Sequence, residues 1–258
     1  MKPVTTTGSA AFEELLGQLV DEATHTIHHG KPGLPAAAKR RFARRFEQVI
    51  PAGDLGAVDV LLTHALAAVR EVGACLLTLG VYPEAEVETR ARTLALDEDW
   101  EVREWAVDPY RKTLGQDPIP GLQEWISAGG RLRRAAVLAI RSLVLDGSLS
   151  ASDSLSLLEV VIDDADVYVQ ANVGGFLIGD ALLRRYPTET AAFLKTRVET
   201  GRVSRTFWKN VADALRSAGA RANQDVIGEV LGVWTREALP KPVLSALGRL
   251  LKRGEFDA

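Results

Sequence analysis

At 258 residues with 47% hydrophobic residues, the chain can bury a sizeable core, which excludes disorder as the default. The formal charge of -3, from 31 Lys and Arg against 34 Asp and Glu, lacks the overall basic footprint that duplex binding usually leaves. There is no run of about eighteen uncharged apolar residues, and the start MKPVTTTGSAAFEELL has neither a basic n-region nor an apolar h-region; no membrane span or secretory signal is implied, and the cytoplasm is the simplest location.

Apolar residues recur at three- and four-residue spacing, so the elements read as helices. After a flexible stretch over 1–10, helices are expected over 12–29, 36–50, 57–79, 84–96, 99–114, 132–144, 152–163, 167–186, 188–201, 206–218, 224–234 and 241–254. Pro and Gly mark the breaks, among them 32–35, 51–53, 118–121, Gly129-Gly130 and 240–242. Val69-Arg70, Val102-Arg103, Leu132-Arg133 and Val169-Gln170 open similar segments 33, 30 and 37 residues apart. A recurrence of that length, two helices per unit, predicts an all-α fold: an α-solenoid of HEAT-like helical repeats in a single curved domain over 1–258. Residues near the repeated pairs would then share its inner, concave face.

Three features offer chemistry and carry little of it. His25, His28 and His29 would share one side of a helix. No thiolate accompanies them, however, and Gly30 reads as a helix C-cap, so no metal site is assigned. Cys75 has apolar neighbours at helical spacing and reads as packing rather than as a nucleophile. Asn172 to Asp180, NVGGFLIGD, has the glycines of a phosphate loop but lies inside a helical apolar pattern, where close helix packing explains them better. No cofactor is called for.

Charge is unevenly distributed. KRRFARR from Lys39 to Arg45 carries five positive charges and RLRRAAVLAIR from Arg131 to Arg141 carries four, whereas Glu84 to Asp108 holds nine acids against three arginines. Within LDEDWEVREWAVDPYRKTL, Leu96 to Leu114, Trp105 and Asp108 at i, i+3 share a face. One reading makes the tryptophans packing residues, Asp108-Pro109 a helix break and the acids a solvated face. The other makes the segment one wall of a catalytic groove.

VREWAVDPYRKTL, VYVQANVGGFLIGDALLRRYP and RTFWKNVADALRSAG, in that order and spacing, resemble segments of the HEAT-like-repeat DNA alkylation-repair glycosylases, the AlkC/AlkD group, with the AlkC side closer. The likeness runs over about residues 65–235. It sets Asp108 on the family's active-site Glu, and Arg111 on the Arg that follows. Asp108 is one methylene shorter than that Glu, Gln116 replaces the Trp closing the motif, and Lys209-Asn210 replaces an Arg-His pair.

The resemblance implies a monofunctional N-glycosylase that excises cationic N-alkylated purines, such as 3-methyladenine, from double-stranded DNA. Such a base is already a good leaving group. The enzyme chiefly needs a carboxylate to stabilise an oxocarbenium-like sugar and orient water, aromatic faces for the sugar or base, and cations for the flanking phosphates. Asp108 is the implied carboxylate and Asp180 a second one. Trp105 or Trp100 is the implied aromatic wall, and Arg103, Arg111, Arg133, Arg134 and Lys209 the phosphate contacts. The alternatives are a non-catalytic scaffold that binds a protein partner in the concave groove, or a structure-specific DNA binder without excision.

Overall fold

The computed structural model describes residues 9–234 and 239–251. The expectation of flexibility over 1–10 and the end of the helix expected over 241–254 therefore fall largely outside the described residues. The chain divides into two compact units, Met1–Pro118 and Ile119–Ala258, and among the described residues both are all-α apart from one two-stranded hairpin. No helix among the described residues is long and apolar enough to cross a membrane.

In the first unit α1 (Ala10–His25) is followed by strands β1 (Ile27–His28) and β2 (Lys31–Pro32). Then come α2 (Ala36–Val49), α3 (Leu55–Leu62), α4 (Ala67–Leu79), α5 (Glu84–Ala95), α6 (Trp100–Trp105) and α7 (Val107–Thr113). Helix α4 packs against α2, α3, α6 and α7, and α5 against α6 and α7. The core is aliphatic with Phe42, Phe46 and Tyr110. Three expected boundaries move, each for a local reason. Helix α1 stops at His25, because His29 (φ 50°) and Gly30 (φ 79°) form the two left-handed positions of a hairpin turn that pairs His28 with Lys31. The helix expected over 57–79 breaks at Thr63–Leu66, where His64 Nδ1 accepts the Leu66 N–H at 3.1 Å. The one expected over 99–114 is interrupted at Ala106, because Pro109 has no N–H for the Trp105 carbonyl.

The second unit runs through α8 (Ile119–Ser127), α9 (Gly130–Asp146), α10 (Ala151–Val161) and α11 (Val167–Asn172). A π-helical turn follows (Val173–Leu182), then α12 (Leu183–Arg185), α13 (Pro187–Glu199), α14 (Arg205–Leu215), α15 (Ala218–Ala222), α16 (Gln224–Leu231) and α17 (Lys241–Leu251). Helix α8 stands where the sequence suggested only a break; its Pro120 falls in the first turn, where an N–H is not needed. Two of the three glycines of NVGGFLIGD serve close packing. A Cβ on Gly174 would lie 3.0 Å from the Asn210 backbone, and one on Gly179 would lie 2.6 Å from the Ser217 side chain. Gly175 faces open space.

The repeated Val-Arg pairs share one structural task. Arg70 donates through Nη1 to the carbonyls of His64 and Ala65 at 2.8 and 3.0 Å, and binds Asp97 bidentately at 2.8 and 2.9 Å. Arg103 donates to the Asp97 and Glu98 carbonyls at 2.7 and 2.8 Å. Arg133 donates to Ile126 O and to Asp164 Oδ2, and Gln170 donates to Asp164 O at 2.9 Å. The two aspartates also shape their own loops. Asp97 and Asp164 accept the N–H groups of Asp99 and Asp166, which in turn cap α6 and α11. Each arginine thus closes the turn before its own helix, and Arg70 and Arg133 also grip the turns before α6 and α11.

Two stability measurements follow. Gly179→Ala is expected to cost about 1–3 kcal/mol in urea denaturation, while Gly175→Ala, on the same segment, is neutral or stabilising by up to about 1 kcal/mol. Arg70→Ala, which removes the guanidinium from a largely buried Asp97 and from two carbonyls, is expected to lower stability by about 3 kcal/mol.

Candidate functional site

Two adjoining features of the first unit gather its chemistry. One is a surface recess of about 80 Å³ lined by Arg40, Arg44, Cys75, Thr78, Leu79, Trp105 and Asp108. It is built from α2, α4, α6 and α7: α2 supplies the two arginines one turn apart, α4 the floor, and the break at Ala106 sets Trp105 beside Asp108. Arg40 lies 5.4 Å from the Trp105 ring centroid, in cation–π range. The Asp108 carboxylate is half-exposed, with Arg111 Nη1 3.6 Å away. Cys75 in the floor is buried, and that burial pushes its thiol up to about 12, which leaves no thiolate for chemistry at neutral pH. At this volume the recess falls well short of the ~300 Å³ of a small-molecule pocket. It is a point of surface contact rather than a chamber for an enclosed base.

The second feature is ionic and buried. Lys39, 2% exposed, places its ammonium against Glu71, 1% exposed, and 3.6 Å from Glu101 Oε2, 4% exposed. Helices α2, α4 and α6 each contribute one of the three charges. Lys39 also sits 5.4 Å from the centroid of Trp105, so this indole is the shared wall of recess and cluster. Burial raises the Glu71 carboxyl to about 7 against the lowering influence of Lys39. Around the rim, Lys31 pairs with Asp99 at 2.5 Å and Trp100 lies 5.8 Å from the Lys31 ammonium, with its ring edge-on to His29. Burial opposes ionisation of Asp99, but the bonds from Lys31 and the Glu101 N–H hold its carboxyl below the usual range.

The hairpin brings its own groups to this rim. His29 Nε2 stands 3.8 Å from Glu101 Oε1, a buried oxygen that accepts no hydrogen bond. His28, His29 and Glu101 present ligand atoms within 4.8 Å of one another, as do Glu71, Asp99 and Glu101. His25, at the end of α1, pairs with Asp21 instead.

The sequence-derived candidates therefore separate. Trp105 and Asp108 share the recess, with Arg111 beside it. Trp100 belongs to the rim of the ionic cluster, and Arg103 is held by the carbonyls of its own turn. In the second unit Arg133 is bound to Ile126 O and Asp164, and Asp180 Oδ1 faces the Gly219 N–H at 3.4 Å. Arg134, on α9, is partly exposed. Lys209 pairs with Asp213 at 2.9 Å on the edge of an open cleft of about 660 Å³. Sequence reasoning passed over Arg40, Arg44, Lys39, Glu71 and Glu101. KRRFARR held a signal for the first two, a pair of arginines four residues apart, but nothing local marks a buried Lys-Glu-Glu set. Comparison with family models, curated proteins and solved structures returned no match for the chain.

Because the folded state holds its Glu71 proton to about 7 and the unfolded chain releases it near 4.5, the folded state binds more protons between those values. Stability is therefore expected to fall as pH rises from 4.5 to 7, and Glu71→Gln is expected to flatten that slope when urea midpoints are compared across the window.

Proposed function

We propose that the helical pairs of each unit stack as HEAT-like repeats, and that the protein binds duplex DNA and excises cationic N-alkylated purines. The observation that carries this reading is the recess itself: one accessible carboxylate, Asp108, shares it with the Trp105 indole and the guanidinium groups of Arg40 and Arg44. In this reading Asp108 stabilises positive charge developing on the deoxyribose and orients the attacking water. Trp105 covers the sugar or the cationic base, and Arg40, Arg44 and Arg111 contact flanking phosphates. A shallow recess suits a base that leaves readily, because the alkylated purine needs little help beyond charge stabilisation near the anomeric carbon. The acidic block near the recess weighs less against DNA than its count suggests. Asp97 is bound by Arg70, Asp99 by Lys31 and Glu101 lies beside Lys39, so three of its charges are matched within the fold.

A second reading, a non-catalytic scaffold for a protein partner, is favoured by a specific observation. Arg103, Arg133 and Lys209 already have partners inside the fold, which reduces the cations available to phosphates.

Release of bases from methylated duplex DNA separates the two. Under the first reading the wild-type chain liberates 3-methyladenine, and Asp108→Asn lowers the rate at least about 100-fold. Arg40→Ala and Arg44→Ala each reduce duplex affinity and make its salt dependence shallower by about one phosphate contact. No release by wild type rules out excision, and release undiminished in Asp108→Asn rules out Asp108 as the carboxylate that drives it; absence of duplex binding together with absence of release leaves the scaffold.

A further inference from the structure

We infer that His28, His29 and Glu101 form a binding site for a divalent transition-metal ion of the zinc type, at the mouth of the buried ionic cluster. Three observations converge on it. First, the hairpin sets two imidazoles together: adjacent residues on an extended strand point to opposite faces, but the left-handed backbone at His29 brings its ring within 4.0 Å of the His28 ring, centroid to centroid. Second, Glu101 is 96% buried by its exposure of 4%, and its Oε1 accepts no hydrogen bond while facing His29 Nε2 at 3.8 Å. A buried carboxylate oxygen without a donor is costly to leave so, and a cation between it and the imidazoles satisfies it. Third, the two nearby ammonium groups are engaged elsewhere than on that oxygen: Lys39 lies 3.6 Å from the other oxygen of Glu101, Oε2, and Lys31 pairs with Asp99.

Two imidazoles and one carboxylate, with further positions open to water, make a donor set that suits zinc and its neighbours rather than calcium or magnesium. The ligand atoms lie within 4.8 Å of one another, so small side-chain adjustments bring them to one ion. His29 is exposed, which leaves a path for entry, and the Lys39 ammonium 3.6 Å from Glu101 Oε2 fixes the carboxylate from behind. The metal ties the hairpin to α6, the helix that ends in Trp105. None of its three ligands belongs to the Asp108 recess, so the site stands or falls separately from the DNA reading.

The test is titration of the tag-free, full-length chain with zinc chloride by calorimetry, with cobalt chloride followed by visible absorption as a report on ligand type. One equivalent is expected to bind, with a cobalt band of nitrogen and oxygen donors. His29→Asn, which retains a residue tolerant of positive φ on an exposed turn, and His28→Ala are each expected to weaken binding at least about tenfold. His25→Asn and His64→Ala are expected to leave it unchanged. Glu101→Gln also weakens binding but removes a partner of Lys39, so it is read only alongside circular dichroism, and His29→Asn carries the decision. Absence of uptake by the wild-type chain, binding unaffected by His29→Asn, or binding lost with His25→Asn or His64→Ala overturns the assignment.

Discussion

The ammonium of Lys39 is the constraint on which the first unit depends. It is fully enclosed, and it brings together one carboxylate from α4 and one from α6 while itself belonging to α2. An enclosed charge of this kind is stable only with its partners in place, so the three helices are held in one register. That register sets Arg40 and Arg44 on the outer turn of α2 beside Trp105 and Asp108. It also presents Glu101 to the hairpin histidines. Recess and metal site are two consequences of the same ionic pin, and Trp105 lies between them.

The arginine device does comparable work along the chain. A single guanidinium both closes the turn before its helix and, at Arg70 and Arg133, holds the aspartate of the next turn. Such hydrogen bonds to carbonyls and carboxylates are charge-assisted and geometrically demanding, which suits the planar guanidinium at Arg70, Arg103 and Arg133. The same commitment alters how the arginines bear on function. An arginine with donors directed into loops has fewer to offer phosphate, so any DNA contact shifts towards Arg40 and Arg44 of α2.

The residues that a linear reading grouped were regrouped by folding. Trp100 and Trp105 are five apart and both were candidates for an aromatic wall, yet the first sits with His29 and Lys31 and the second with Arg40 and Asp108. His25, His28 and His29 were grouped on one helix face; the turn at His29-Gly30 removed His25 from the set and supplied Glu101 in its place. The absence of a thiolate and the helix C-cap expected at Gly30 argue against a metal in the sequence, but the carboxylate that joins the two histidines lies 72 residues from His29, on α6. Glycine packing in NVGGFLIGD, by contrast, was legible for Gly174 and Gly179, because the segment has an apolar helical period with no preceding strand, but not for Gly175, which faces open space.

The sequence by itself determined the helical class, most helix positions, the recurrence of the Val-Arg pairs and the packing role of its central glycines. These depend on local periodicity and on residue types whose preference is intrinsic, so neighbours within a few positions decide them. Only the tertiary structure decided that the repeated arginines close turns and that Lys39, Glu71 and Glu101 share a buried site. It also decided that Asp108 faces arginines from a helix some seventy residues earlier. Those outcomes depend on which helices become neighbours, and a charge's partner across such a distance leaves no periodic trace in the chain.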